Sequence, residues 1–249
     1  MLSYYWADLH VHTVLSPCGE LDMGAPEIVL RAREAGIDII AIADHNSADN
    51  CAAVIEASGG NPLVLPAIEV QTAEDIHVVT IFPEPDIARD FQAWLWEAIR
   101  PIRNDINYFG EQLVINAENE ILRSEETLLI QGIGYEIDTI VKRARELGAI
   151  INLAHVDKPE FAYPAVLGPI PEDYPVDAFE LSKNVNSDQA AGWRERYPNN
   201  TFIRASDSHW LDNMSRANCT KMLLEAPTFD EVKLALARRD GRRISWPWG

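Results

Sequence analysis

Along the chain, short apolar runs alternate with longer amphipathic stretches, the pattern of strands followed by crossover helices packed on a parallel sheet. The strand-length runs are Trp6–His10, Ile37–Ala43, Leu63–Ile68, His77–Phe82, Ala149–Ala154, Ala178–Leu181 and Phe202–Ala205. Helix boundaries are readable between them. Pro26 suits a first turn and Gly36 an exit, Thr228 with Glu231 forms a capping-box signature, and Gly241 is expected just past a last turn. Glu136–Leu147, closed by Gly148, places Ile137, Ile140, Val141 and Ala144 on one face. Two stretches interrupt the alternation. After a helix near Asp86–Arg100, Leu113–Gln131 alternates apolar and polar residues around Glu118 and Asn119, which predicts a hairpin or flap insertion over about 105–135. Lys158–Pro175 is rich in proline with Phe161, Tyr163 and Tyr174, and reads as a long ordered loop of the kind that forms lids or binding surfaces.

At 249 residues, 47% of them apolar, the chain can build one large α/β barrel or two smaller domains. With no internal repeat, low-complexity tract or linker, a single domain over 1–249 is expected. Acidic residues outnumber Lys and Arg by 39 to 21, for a formal charge of -18. Such a surface repels a phosphate backbone, so non-specific nucleic-acid binding is not expected. Cys18, Cys51 and Cys219 are too few and too scattered for a disulfide framework, which fits a reducing cytoplasm. The N-terminus lacks a basic segment of signal-peptide type, and the longest apolar runs are too short to span a bilayer. A cytoplasmic protein without a membrane partner is expected, its oligomeric state left open.

The histidines change this picture. His10 and His12 in ADLHVHT, His45 in AIADHN, His155 in INLAH and His209 in ASDSH all fall at or just past the end of an expected strand, while His77 opens one. In parallel α/β folds the loops at the carboxyl ends of the strands meet on one face, so these imidazoles can share a pocket. Carboxylates accompany them: Glu69 ends LPAIE, Glu180 lies in DAFEL, Asp44 precedes His45, and Asp207 stands two before His209. Imidazoles with carboxylates, and no thiolate cluster, suit Zn²⁺, Mn²⁺ or Fe²⁺. His-x-His puts both rings on one face of an extended chain, about 6–7 Å apart, close enough to grip one ion. Glu69 is the candidate bridging carboxylate. Asp44 is either a ligand or an orienting group for an imidazole, and Glu180 either site chemistry or a partner of Lys183.

DLHVHT, ADHN, the isolated Glu69, INLAH and SDSH, in that order over Asp8 to His209, resemble the motifs of the PHP (polymerase and histidinol phosphatase) superfamily. The resemblance implies an α/β fold of distorted seven-stranded (β/α) TIM-like barrel type holding two or three divalent ions (Zn, Mn or Fe). By position it assigns His10, His12, Glu69 and Asp207 to one ion, and Glu69, His77 and His155 to a second. His45 and His209 go to a third. Members of the family often carry a further ligand of that third ion five to eight residues after the second histidine. Here the chain reads HTVLSPCGELD, leaving Cys18, Glu20 or Asp22, of which Glu20 is taken.

The chemistry so implied is that of a phosphoesterase acting on a small phosphorylated metabolite or nucleotide, with a metal-bridging hydroxide attacking phosphorus in line. Glu69, His155, Asp207 and His209 are its candidate catalytic residues, and Lys158, Lys183 and Arg204 its candidate phosphate-binding groups, although Arg204, within a strand, can equally serve in a structural pair. A nuclease acting on nucleic-acid ends is the enzyme alternative, opposed by the acidic charge. A non-catalytic module that binds a phosphorylated ligand or a partner protein is the alternative of another class. A metal-dependent amidohydrolase also uses His-x-His and a late Asp, but usually with a bridging lysine that Glu69 makes unnecessary here.

Overall fold

A computed structural model describes residues 1–248. Its strands are β1 (Ser3–Val11), β2 (Ile39–Ile42), β3 (Leu63–Gln71), β4 (His77–Ile81), β5 (Leu113–Ile115), β6 (Ile121–Ser124), β7 (Ile150–Leu153), β8 (Ala178–Leu181), β9 (Phe202–Arg204), β10 (Thr220–Leu224) and β11 (Arg243–Ile244). The seven expected strands form one curved sheet in the order β1-β2-β3-β4-β7-β8-β9, with β10 and β11 added beyond β1. The sheet nearly closes on itself. Val11 makes a parallel bridge to Ser208, with the His12 N–H donating to the Ser208 carbonyl at 3.0 Å. This is the α/β barrel of PHP-like type that the sequence implied.

The sheet is mixed rather than parallel, which corrects the simple alternation of strand and crossover helix. β4 runs antiparallel to both β3 and β7. The cause is the connection Thr72–Ile76, far too short to cross over, so the chain turns back as a hairpin. His77, at the start of a reversed strand, therefore reaches the same rim as residues at the ends of the others. The hairpin also prolongs β3 to Gln71, leaving Glu69 inside the strand rather than at its end.

Two apolar layers explain the nearly continuous hydrophobic runs. Ile39, Ala41 and Ala43 join Ala7, Leu9, Leu65, Ala67, Val79, Ile81, Ala178 and Ile203 in the lumen, while Ile40, Ile42, Ile68, Val78, Phe179 and Phe202 face the helices. The helix Phe229–Leu236 closes the end opposite the site, where Lys233 Nζ donates to Gly148 O and the Leu236 carbonyl accepts from Thr201 Oγ1. Gly36 and Gly148 close their helices with φ of 65° and 78°. Thr228 caps its helix by accepting from the Glu231 N–H, but Glu231 turns to the Glu225 N–H and Arg242 instead of completing the box. Gly241 lies in the turn to β11, beyond the helix end.

One irregularity decides where the metal motif points. β1 and β2 pair at Asp8↔Ile40 and then at Val11↔Ile42, so β1 carries an extra residue. Without that bulge, Ala7 and Leu9 in the lumen would put Val11 there too and send His10 and His12 outward. With it, Val11 joins the helix layer and both imidazoles enter the lumen.

The 105–135 region forms an antiparallel pair, β5 with β6. It packs on the loop after His12: Leu15 clusters with Val114 and Leu129, the Leu113 N–H donates to Val14 O, and Gly110 (φ 102°) approaches Pro17 O so closely that a Cβ would stand 2.3 Å from it. Lys158–Pro175 contains one short helix, Tyr163–Val166.

A candidate metal centre at the barrel rim

Five of the six histidines converge on Glu69, which is 1% exposed, and the sixth, His209, stands beside Asp207. Glu69 Oε1 lies 2.8 Å from His77 Nδ1, 3.3 Å from His10 Nε2 and 3.4 Å from His155 Nε2. Its Oε2 lies 2.9 Å from His45 Nδ1 and 3.4 Å from His12 Nε2. Asp207 Oδ1 closes the ring from just beyond β9, 3.3 Å from His12 Nε2 and 3.6 Å from His10 Nε2. Three donor groups overlap here: His10, His12 and Glu69; His45, Glu69 and His77; His12, His45 and His209. His155 and Asp207 leave their strands through left-handed backbone, φ 28° and 47°, a strained conformation characteristic of functional sites.

Groups behind the cage set which nitrogen faces it. Both oxygens of Glu180 lie 3.1–3.2 Å from His10 Nδ1, so the proton sits on Nδ1 and the Nε2 lone pair points inward. On His12 the same task falls to Ser16: its Oγ donates to Asp44 Oδ1 at 2.7 Å and is left to accept from His12 Nδ1 at 2.9 Å. Asp44 thus acts from behind the cage, also accepting from the Thr13 N–H and Oγ1. Glu180 serves His10 rather than Lys183. Its replacement by Gln is expected to lower metal affinity about 10- to 100-fold, read by competition with a chelating dye; unchanged affinity would deny it this role.

The electrostatics are those of a cage built around cations. Burial pushes the Glu69 carboxyl up, but His77, His10 and His45 outweigh it and hold it well below the carboxylate range. Burial opposes a proton on His10, yet Glu180, Glu69 and Asp207 raise it well above its ordinary value. Burial wins at His12, which is pushed well down, and at His77, lowered to about 4. Protons thus stand in for positive charge on part of the ring only. Glu69 Oε2, His45 Nδ1, His77 Nε2 and His155 Nδ1 are buried without a hydrogen-bond partner, each at a cost of about 1–3 kcal/mol. Imidazole nitrogens and carboxylate oxygens left over at this spacing fit divalent transition ions.

The cage opens into a cavity of about 280 Å³ lined by Lys158, Lys183, Asp207, His209, Cys18 and Trp210. Lys158 Nζ stands 2.6 Å from Asp207 Oδ2. Two expected residues are not brought here. Arg204 follows Ile203 of the lumen and so faces outward, where it donates to the Lys183 carbonyl and lies over the Trp248 ring. Its guanidinium is engaged with the Lys183 loop. Glu20 is exposed, its Oε1 accepting from Trp210 Nε1 at 3.0 Å, away from His12, His45 and His209. The roles of Glu180 and Ser16 are not readable from sequence, because their partners lie across the barrel or depend on a loop turn.

No protein-family model matches the chain, and no curated protein does. Among solved structures it is similar to the lesion-specific endonuclease PfuEndoQ of Pyrococcus furiosus, with TM-score 0.66 and 18% identity over 97% of this chain and 58% of that one. A protein of Bifidobacterium adolescentis, assigned as a metal-dependent phosphoesterase, gives TM-score 0.60 and 18% identity over 93% of this chain and 96% of that one. A two-domain protein of Bacteroides vulgatus, with a part assigned as a PHP-like metal-dependent phosphoesterase, gives 0.57 and 14% over 98% and 65%. The chain thus spans little more than half of the endonuclease. The chain shares its fold with all three, the third of which carries the PHP-like description.

Proposed function

We propose, from this fold and its rim, that the chain is a metal-dependent phosphoesterase that hydrolyses a small phosphorylated metabolite or nucleotide. One observation carries the reading: three overlapping donor groups, two of them containing Glu69, open onto a cavity whose mouth holds Lys158 and Lys183. Glu69, His10, His12, His45, His77, His155, Asp207 and His209 would hold the ions. Divalent ions bound there supply Lewis acidity and a water of lowered pKa.

The remaining work belongs to side chains at the mouth. Lys158, steered by Asp207, points its charge at the place where phosphoryl oxygens enter. Lys183 sits beside it with a pKa lowered by burial, which brings the ammonium closer to giving a proton to a leaving oxygen. Trp210, 48% exposed, offers an aromatic face at the edge of the cavity. Replacing Lys158 by Met is expected to lower kcat/KM about 10- to 100-fold, the worth of a charge-assisted phosphate contact, with metal content unchanged.

The test is a panel: protein loaded with Mn²⁺ or Zn²⁺ is offered a nitrophenyl phosphate, a phosphodiester, nucleotides and single-stranded DNA. Metal-dependent turnover of the small esters supports the proposal. Loaded protein that cleaves none of them overturns it. Cleavage of DNA alone would favour the nuclease reading, which the likeness to an endonuclease keeps in view and the charge of -18 opposes.

A further inference from the structure

In a chain of formal charge -18, four arginines fall within six positions: Arg238, Arg239, Arg242 and Arg243. Local backbone gathers three of them. After the helix Phe229–Leu236, Arg238, Asp240 and Gly241 take left-handed conformations, φ 54°, 51° and 79°. The Arg239 N–H returns to Leu234 O at 2.9 Å and the Arg242 N–H to Arg239 O at 2.8 Å, so the segment doubles back into β11 instead of running on.

This turn, the helix Ser187–Arg196 and the start of β9 enclose a cavity of about 500 Å³, within the range of about 300–1,000 Å³ usual for small-ligand sites. Arg194, Arg238, Arg242 and Arg243 line it and no carboxylate does, although acidic residues outnumber Lys and Arg by 39 to 21 along the chain. It lies at the other end of β9 from the metal centre, since Phe202 in its wall opens the strand and Asp207 stands beyond the strand's close. The four guanidiniums differ in what holds them. Arg242 is balanced by Glu225 and Glu231, each at 2.8 Å. Arg238 donates to the Asn200 carbonyl at 2.7 Å, and Arg194 lies over the Trp246 ring, 5.0 Å from its centroid. Trp246 is itself held between Phe202 and Trp248. Neutral partners orient these two cations and leave their charge uncompensated, and among the described residues no ion pair involves Arg194, Arg238 or Arg243. Like charges held in one hollow repel one another until an anion enters.

We infer that this hollow is a binding site for a diphosphate group, free or carried by a nucleoside, separate from the metal centre. Three uncompensated guanidiniums call for an anion of comparable charge, which a single carboxylate lacks and a diphosphate carries. Their planar forks match pairs of phosphoryl oxygens, a geometry that lysines would not offer. No metal ion enters the inference, so it stands or falls apart from the phosphoesterase reading.

The test uses the whole chain, stripped of metal so that the rim offers no ion to a phosphate, and titrated by calorimetry with pyrophosphate and with ADP. Both are expected to bind at a single site. Arg194→Gln and Arg238→Gln, each at an exposed position, should each weaken binding about tenfold or more, the worth of a charge-assisted hydrogen bond, while Lys158→Met at the rim leaves it unchanged. ADP that binds more tightly than pyrophosphate marks the ligand as a nucleotide, and equal affinities mark it as free diphosphate. Binding of neither probe overturns the inference, as does affinity that survives in full when both arginines are replaced, or that Lys158→Met abolishes. Single-stranded DNA that binds where both small phosphates fail overturns it in favour of a nucleic-acid surface.

Discussion

Glu69→Gln is expected to remove metal and activity together. The carboxylate stands within 3.4 Å of five imidazoles and belongs to two of the three donor groups, so no ion pair at the rim can form around it once its charge is gone. Glutamine keeps the volume and one oxygen but puts an NH₂ where a second acceptor stood. Losing several kcal/mol of transition-state charge stabilisation corresponds to a fall in kcat/KM on the order of 10³-fold or more. Metal analysis and the small-ester assay check both halves. Full activity in this variant would mean that the site is not centred on Glu69.

The second large effect is on stability. Each ion that binds only the folded chain contributes about 4 kcal/mol at a thousandfold excess over its dissociation constant. For a chain of this size a kcal/mol moves Tm by about 2–4 °C, so one such ion should raise Tm by about 10 °C. Differential scanning calorimetry of stripped and loaded protein checks it, and equal midpoints would deny a bound cation any role in the fold. The effect should grow with pH. In the stripped protein the raised pKa of His10 stabilises below about 6.5, its unfolded value, and that contribution disappears as pH rises through the folded value. The depressed Glu69 and Asp207 contribute above their unfolded values and lose that contribution as pH falls through the folded ones. Metal must displace the His10 and His45 protons, so the gap between loaded and stripped midpoints should widen as pH rises above about 6.5, the ordinary imidazole value.

Residues whose neighbours are near in sequence are legible in it; those whose role depends on pairing are not. The seven strands and the histidines at their ends follow from local runs and their boundaries. Arg204 is half readable, since alternation with Ile203 turns it outward, though a single strand does not say which face is the lumen. The direction of β4 hides behind the habit of α/β chains, despite a connection at Thr72–Ile76 that leaves room only for a hairpin. The bond of Glu180 to His10 spans 170 positions and no local pattern carries it. Counting along the loop selects Glu20 but ignores where the loop is fastened: the Glu20 N–H is tied to the His209 carbonyl and its carboxylate to Trp210.

The extra residue in β1 bears on how such a chain can vary over time. Substitution at the rim can proceed in steps, one donor exchanged for another while the cage keeps its shape. The register of β1 admits one change of length too, because deleting Leu9 would absorb the bulge and leave His10 and His12 facing the lumen by plain alternation, with Ala7 in and Asp8 out as before. Inserting a residue between His10 and His12 would instead put the two rings on opposite faces of the strand, so the length on which the centre depends is the spacing of His-x-His itself.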